Sequence, residues 1–175
     1  MSATLLGQSI LSGIFSGSLY ALLGLGLTLS WRYLKIINLA HFAFIFLAAY
    51  LTYQLAGPGG MAPLLVVALV APLFFVLGYA QQAFLEHFKV DEFASIIITF
   101  GMTILAETFI QWIWSADFVR LETHFLRGSW ELGPFFLPKQ EMLMSLAALA
   151  LCLLTAAFLR FTWVGKALRA RRALP

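Results

Sequence analysis

Charge is scarce in this sequence, and it is missing altogether from several long stretches. Only 11% of the 175 residues are Asp, Glu, Lys or Arg, whereas 62% are hydrophobic, and the mean hydropathy is +0.91. Residues 1–31 and 36–85 contain none of these four charged types. A soluble helical protein would need charged outer faces on its helices, and these stretches supply none. The composition therefore favours a polytopic membrane protein over a soluble one.

Cysteine and the usual motifs of enzymes are also lacking. A single cysteine, Cys152, excludes disulfides within one chain and a metal site built from several thiolates. His41 has no carboxylate or cysteine beside it in the sequence, so no metal site is expected there. The sequence contains neither an H-E-x-x-H motif nor a convincing nucleophile motif. An intramembrane enzyme with Glu107 and His41 as acid and base is therefore the least favoured function, and no cofactor is predicted.

Five apolar runs are long enough to cross a bilayer, which takes about 20 residues. They cover roughly residues 5–30, 36–56, 63–85, 93–114 and 142–161. The predicted fold class is an all-α membrane protein, a polytopic helical bundle of about five transmembrane helices. These helices are expected to form one transmembrane domain over residues 1–175, with a small element in the loop 115–141.

Lys and Arg are divided unequally between the two sides of these runs, which sets the predicted orientation. The richer side carries eight, which are Arg32, Lys35, Lys89, Arg160, Lys166, Arg169, Arg171 and Arg172; the other side carries Arg120, Arg127 and Lys139. The richer side should be cytoplasmic, with the basic tail 162–175 on it and the N-terminus outside. The loop 115–141 is then external and should form either a hairpin or a surface helix. Basic residues at span ends predict contact with anionic lipid and no nucleic acid partner.

Small residues repeat every four positions in the first apolar run. Ser9, Gly13, Gly17 and Ala21 share one face of a helix, and Gly24 lies beyond them. In lipid this spacing lets two helix backbones approach closely. The face is therefore predicted to pack against protein, either by ordinary helix packing or as a dedicated dimerisation surface.

Two polar residues lie near the start of the second run. Asn38 and His41 are three positions apart, next to Lys35 at the predicted cytoplasmic surface. This spacing places both side chains on one face of a helix. Two interpretations stay open: side chains that satisfy loose backbone groups at a helix start, or a gate at the inner mouth of a pathway.

The fourth run contains a stripe of polar residues, which we call the polar seam. It consists of Ser95, Thr99, Thr103, Glu107 and Gln111, spaced four apart on one helix face. Glu107 is the only acidic residue inside any run, and such a residue is costly in lipid. The polar seam is therefore predicted either to line a pathway or to make hydrogen bonds between helices.

Six short motifs, in a fixed order along most of the chain, carry a family resemblance. They are GSLYAL at 17–22, GLGLTL at 24–29, LKIINLAH at 34–41, AAYL at 48–51, ITFGMT at 98–103 and GKALRA at 165–170. On these motifs the sequence resembles the permease subunits of branched-chain amino acid ABC transporters. Typical members continue through several more spans, so the chain is expected to be truncated at its C-terminus.

The resemblance implies a membrane-embedded part of an ATP-driven importer in the bacterial inner membrane. The implied substrates are branched-chain or related amino acids. The implied partners are a second permease subunit, cytoplasmic ATP-binding subunits that hold the ATP, and an external substrate-binding protein. A non-catalytic scaffold or channel subunit is the alternative that the residues also allow.

The basic segment after the last run has a role of its own in this family. Taken alone, a short basic stretch at this place is typical of a topology anchor. The resemblance instead implies the start of the coupling helix that docks on the ATPase. The residues concerned are Gly165, Lys166, Ala167, Leu168 and Arg169.

Overall fold

The computed structural model describes residues 3–115, 119, 128–133 and 135–162, and this part of the chain is almost entirely helical. Its helices are α1 (Ala3–Leu29), α2 (Ala40–Ala56), α3 (Pro63–His87), α4 (Glu92–Trp114) and α5 (Lys139–Phe161). A π-helical turn, Ser30–Leu34, follows α1. Two strands, β1 (Ser129–Leu132) and β2 (Phe135–Pro138), precede α5.

The predicted fold class, an all-α membrane protein, is confirmed. Within the described residues, four helical segments are long and apolar enough to cross a membrane: Thr4–Leu34, Pro63–His87, Glu92–Trp114 and Lys139–Phe161. The predicted start of the second span at residue 36 is wrong, because α2 begins only at Ala40 and has 17 residues. The predicted end of the first span at residue 30 is also early, because the π-helical turn carries helical structure to Leu34.

The chain forms two compact units. One, which we call the hairpin unit, comprises Met1–Leu29 and Thr123–Pro175, and its described elements are α1, β1, β2 and α5. The other, which we call the three-helix unit, is Ser30–Glu122 and contains the π-helical turn, α2, α3 and α4.

In the hairpin unit, α1 packs along α5, and both helices contact β2. The buried positions of α5 are the small residues Ser145 and Ala148, which allow a close approach. The strands form an antiparallel hairpin in which Leu132 is opposite Phe135, so the loop 115–141 contains the hairpin and not the alternative surface helix over residues 129–138. The amide of Gln8 donates to the carbonyl of Phe136 (2.7 Å) and accepts from its N–H (3.1 Å), which ties α1 to β2.

In the three-helix unit, α2 packs on both α3 and α4. The turn from α3 to α4 is tight. Lys89 has φ 49°, and the N–H of Val90 donates to the carbonyl of Leu85 over 3.0 Å, which closes the end of α3 as a Schellman motif. Asp91 then caps α4 by accepting from the N–H of Ala94 at 2.7 Å. These local bonds fix where the first turns of α4 lie.

Trp31 and Trp114 make hydrogen bonds between segments of the three-helix unit. Trp31 Nε1 donates to Glu92 Oε1 over 2.9 Å, and Trp114 Nε1 donates to Gln54 Oε1 over 3.1 Å. Indole N–H groups at such positions combine an apolar ring with one polar bond. Each end of α4 is therefore joined to the segment packed beside it.

Candidate functional site: a backbone break and a polar cavity

Residues 35–39 interrupt the helical structure between the π-helical turn and α2. Lys35 has φ 57°, a left-handed conformation that ends the turn. Leu39 occupies the cap position of α2, and its own side chain gives no hydrogen bond to the helix start. In hydrocarbon, loose N–H groups of this kind cost several kcal/mol each unless another part of the protein accepts them.

Two of these N–H groups donate hydrogen bonds to hydroxyl groups of α4. The N–H of Ile37 donates to Ser95 Oγ over 3.3 Å, and the N–H of Leu39 donates to Thr99 Oγ1 over 3.1 Å. Thr99 Oγ1 also lies 3.2 Å from the carbonyl oxygen of Ile37. Ser95 and Thr99 are each 0% exposed. The break is therefore bonded to the buried face of α4.

The side chain of Asn38 bonds to α3 instead. Its Nδ2 donates to Gln81 Oε1 over 3.2 Å, and Gln81 Nε2 donates back to Asn38 Oδ1 over 2.8 Å. The two amides thus form a reciprocal pair, and Gln81 is only 6% exposed. Each amide keeps one N–H and one oxygen lone pair that the other does not use.

A cavity of about 330 Å³ opens beside this amide pair. Its polar lining includes Asn38, His41, Gln81 and Gln82, and its apolar lining includes the ring of Phe44. None of the described residues that line it is Asp, Glu, Lys or Arg. The volume lies at the lower end of the range of about 300–1,000 Å³ that is usual for small-molecule sites.

The structure brings Asn38 and His41 to one cavity, but by a different route from the predicted one. They do not share a helix face, because Asn38 precedes α2 and only His41 lies within it. The prediction failed on this point because residues 36–39 are apolar apart from Asn38, and an apolar pattern does not reveal a break in the backbone. Gln81 was not singled out from the sequence, although an amide pair at residues 81 and 82 interrupts an otherwise apolar run.

The polar seam divides into two parts. Ser95 and Thr99 are buried against the break, and Thr103, which is half-buried, donates only to the carbonyl of Thr99 within its own helix (2.9 Å). Glu107 and Gln111 are exposed on α4. The seam is therefore not a continuous lining of the cavity, since none of its five residues is among the residues that surround it.

Other predicted residues belong to the hairpin unit or lie outside the described part of the chain. On α1, Gly13, Gly17 and Ala21 are exposed and Gly24 is half-buried. A Cβ atom at any of these three glycines would meet nothing within 4 Å. Their role in helix packing stays a prediction. The coupling residues 165–169 lie outside the described part of the chain.

Long apolar helices, a buried polar break and a polar cavity whose described lining has no Asp, Glu, Lys or Arg define a membrane protein with an internal polar site. Over residues 9–173 the chain matches the family described as the permease component of branched-chain amino acid transport systems, and it belongs to that family. The family consists of transport components and not of enzymes. The comparison with curated proteins and the comparison with solved structures each found no match.

Proposed function

We propose that this permease component is the membrane-spanning subunit of an ATP-driven importer, and that its solute passes the cavity beside Asn38 and Gln81. The observation that carries the proposal is the reciprocal amide pair at a polar cavity within a family of transport permeases. Polar groups inside a membrane protein are costly and generally serve a pathway or a binding site.

The chemistry of the cavity suits branched-chain or related amino acids. These solutes combine an apolar side chain with a backbone that carries no net charge at neutral pH. The rings of Phe44 and Phe74 give the cavity an apolar wall, and the amides of Asn38 and Gln81 can both donate and accept hydrogen bonds. The described lining holds no Asp, Glu, Lys or Arg that would favour a cation or an anion.

The proposed setting is the bacterial inner membrane, with the N-terminus outside and the C-terminus cytoplasmic. The excess of Lys and Arg on one side of the spans supports this orientation. The proposed partners are a second permease subunit, cytoplasmic ATP-binding subunits that engage residues 165–169, and an external substrate-binding protein. The exposed small-residue face with Gly13 and Gly17 is available for the second permease subunit.

The test is uptake of radiolabelled leucine, isoleucine and valine by cells whose own uptake systems have been deleted. The chain is supplied together with the second permease subunit and the ATP-binding and substrate-binding subunits of its system. We expect uptake that requires ATP. Gln81→Met should lower it at least tenfold, because it removes the amide from the cavity but keeps the length of the side chain.

The matched control is Gln54→Met. Gln54 is also an amide of the three-helix unit bonded to another helix, but it is exposed and does not line the cavity. Uptake by this variant should equal that of the unchanged chain. Equal uptake by both variants at equal membrane expression would contradict the proposal that the solute passes this cavity. Uptake that continues after ATP depletion would instead favour the channel alternative.

A further inference from the structure

We infer that Ser95 and Thr99 are positioning residues: their hydroxyl groups hold the backbone break and thereby fix the direction of the Asn38 amide. This inference rests on the proposed function only for its consequence in transport. The hydroxyls themselves do not reach the solute, because both residues are fully buried and neither lines the cavity.

The hydroxyl groups accept from the break, and the nearest acceptor for the Thr99 proton is the Ser95 carbonyl of α4, closer than the Ile37 carbonyl at 3.2 Å. Ser95 Oγ lies 2.7 Å from the carbonyl oxygen of Glu92, and Thr99 Oγ1 lies 2.7 Å from that of Ser95. A hydroxyl has one proton and two lone pairs. When the proton is donated to the carbonyl of its own helix, the lone pairs remain for the N–H groups of Ile37 and Leu39.

The spacing of these acceptors matches the spacing of the donors. Ser95 and Thr99 are one helical turn apart on α4, and they bind the N–H groups of Ile37 and Leu39, which flank Asn38. The backbone on both sides of Asn38 is therefore fastened to α4, while its side chain is directed to Gln81 on α3. A change in either hydroxyl bond would let the peptide groups around Asn38 rotate and move its amide.

The burial of the acceptors explains why these bonds are needed. Ser95 and Thr99 are each 0% exposed, so the N–H groups that point at them face protein and not water. Ser and Thr side chains of neighbouring helices are a recognised way to satisfy interrupted backbone in membrane proteins. Without these hydroxyls the N–H groups of Ile37 and Leu39 would lose their acceptors in α4.

The test uses the full chain in lipid nanodiscs and measures hydrogen exchange of the amides of Ile37 and Leu39. Thr99→Val keeps the shape of the side chain but removes the hydroxyl, and it should speed exchange at Leu39 threefold to tenfold. Thr99→Ser restores a hydroxyl and should return exchange to the original rate. Ser95→Ala should speed exchange at Ile37 in the same way, and this variant replaces Thr99→Val in the test if Thr99→Val does not fold.

The control variant is Thr52→Val. Thr52 lies in α2, and its hydroxyl donates only to the carbonyl of Ala48 in the same helix (2.8 Å). Exchange at Leu39 should be unchanged in this variant. Unchanged exchange at Leu39 in Thr99→Val, or a failure of Thr99→Ser to restore it, would overturn the positioning role.

Uptake kinetics separate this inference from the proposed function. A displaced Asn38 amide should raise the KM for the solute severalfold in Thr99→Val while the maximal rate changes little, and Thr99→Ser should restore the KM. If Thr99→Val exchanges faster at Leu39 but neither the unchanged chain nor any variant supports uptake, the positioning role is retained and the proposed function is refuted. Normal exchange and normal KM in Thr99→Val, with uptake intact, would retain the proposed function and refute the positioning role.

Discussion

The reciprocal bonds between Asn38 and Gln81 predict a measurable coupling in stability. Replacing Asn38 by leucine, or Gln81 by methionine, removes both hydrogen bonds of the pair with little change in side-chain size. Each replacement also leaves the other amide without its partner in a largely buried place. Replacing both residues removes the bonds but leaves no orphaned amide behind. The double variant should therefore lose less stability than the sum of the two single variants.

The expected magnitude follows from the number of bonds. A hydrogen bond between membrane helices contributes on average about 0.6 kcal/mol, with values up to about 1.7 kcal/mol. Two bonds then give a coupling free energy of roughly 1–2 kcal/mol, and each single variant should lose about 1–3 kcal/mol of the free energy of unfolding. The assay is reversible unfolding in mixed detergent micelles, monitored by tryptophan fluorescence.

A pair of side chains within α3, the helix that carries Gln81, serves as the control. Gln82 Nε2 donates to Glu86 Oε1 over 3.0 Å, but this pair is within one helix and exposed. Its coupling should be only about 0.2–0.5 kcal/mol, which is usual for side chains four apart on a helix. A coupling between Asn38 and Gln81 no larger than that between Gln82 and Glu86 would refute the view that the amide pair stabilises the site.

Two further predictions concern other parts of the chain. A Cβ at Gly7 would lie 2.5 Å from Cε1 of Phe135, so Gly7→Ala should displace that ring and lower the free energy of unfolding by about 1–2 kcal/mol. Gly13 has open space around it, so Gly13→Ala should leave the free energy of unfolding unchanged or raise it. Equal effects of the two variants in an unfolding assay would contradict this packing. Glu107→Leu should reduce uptake or subunit assembly about tenfold, since an exposed carboxyl on an apolar helix needs water or a donor from a partner, and Glu107→Gln should lose less. Unchanged uptake and unchanged expression of the leucine variant would count against any role for this residue.

The helices were predictable from the sequence where charge marks their ends. Glu86 to Glu92 separate α3 from α4, and the predicted starts and ends of both helices agree with the structure within about two residues. The break before α2 was not predictable in this way, because Ile36, Ile37 and Leu39 are as apolar as a helix interior. Hydropathy reports the solvent that a segment prefers, and it does not report the path of the backbone.

The candidate site was predictable only in part, for a related reason. Asn38 and the hydroxyls of the polar seam stand out as polar residues in apolar runs. The partners of Asn38, Ser95 and Thr99 in other segments are 43 to 62 positions away, however, so which polar groups meet is decided by the packing of α2 on α3 and α4. Ser95 and Thr99 are an example: their spacing indicated one helix face, but only the packing shows that this face meets backbone.

The short length of α2 has a consequence for the lipid around it. Seventeen residues span about 25 Å, whereas the hydrocarbon layer is about 30 Å thick. The difference must be met by a locally thinner bilayer, by flanking side chains that extend to the headgroups, or by neighbouring helices. Acyl-chain length in the surrounding membrane therefore becomes a physical variable of this permease component, because thick and thin bilayers place the interrupted end of α2 at different distances from the headgroups.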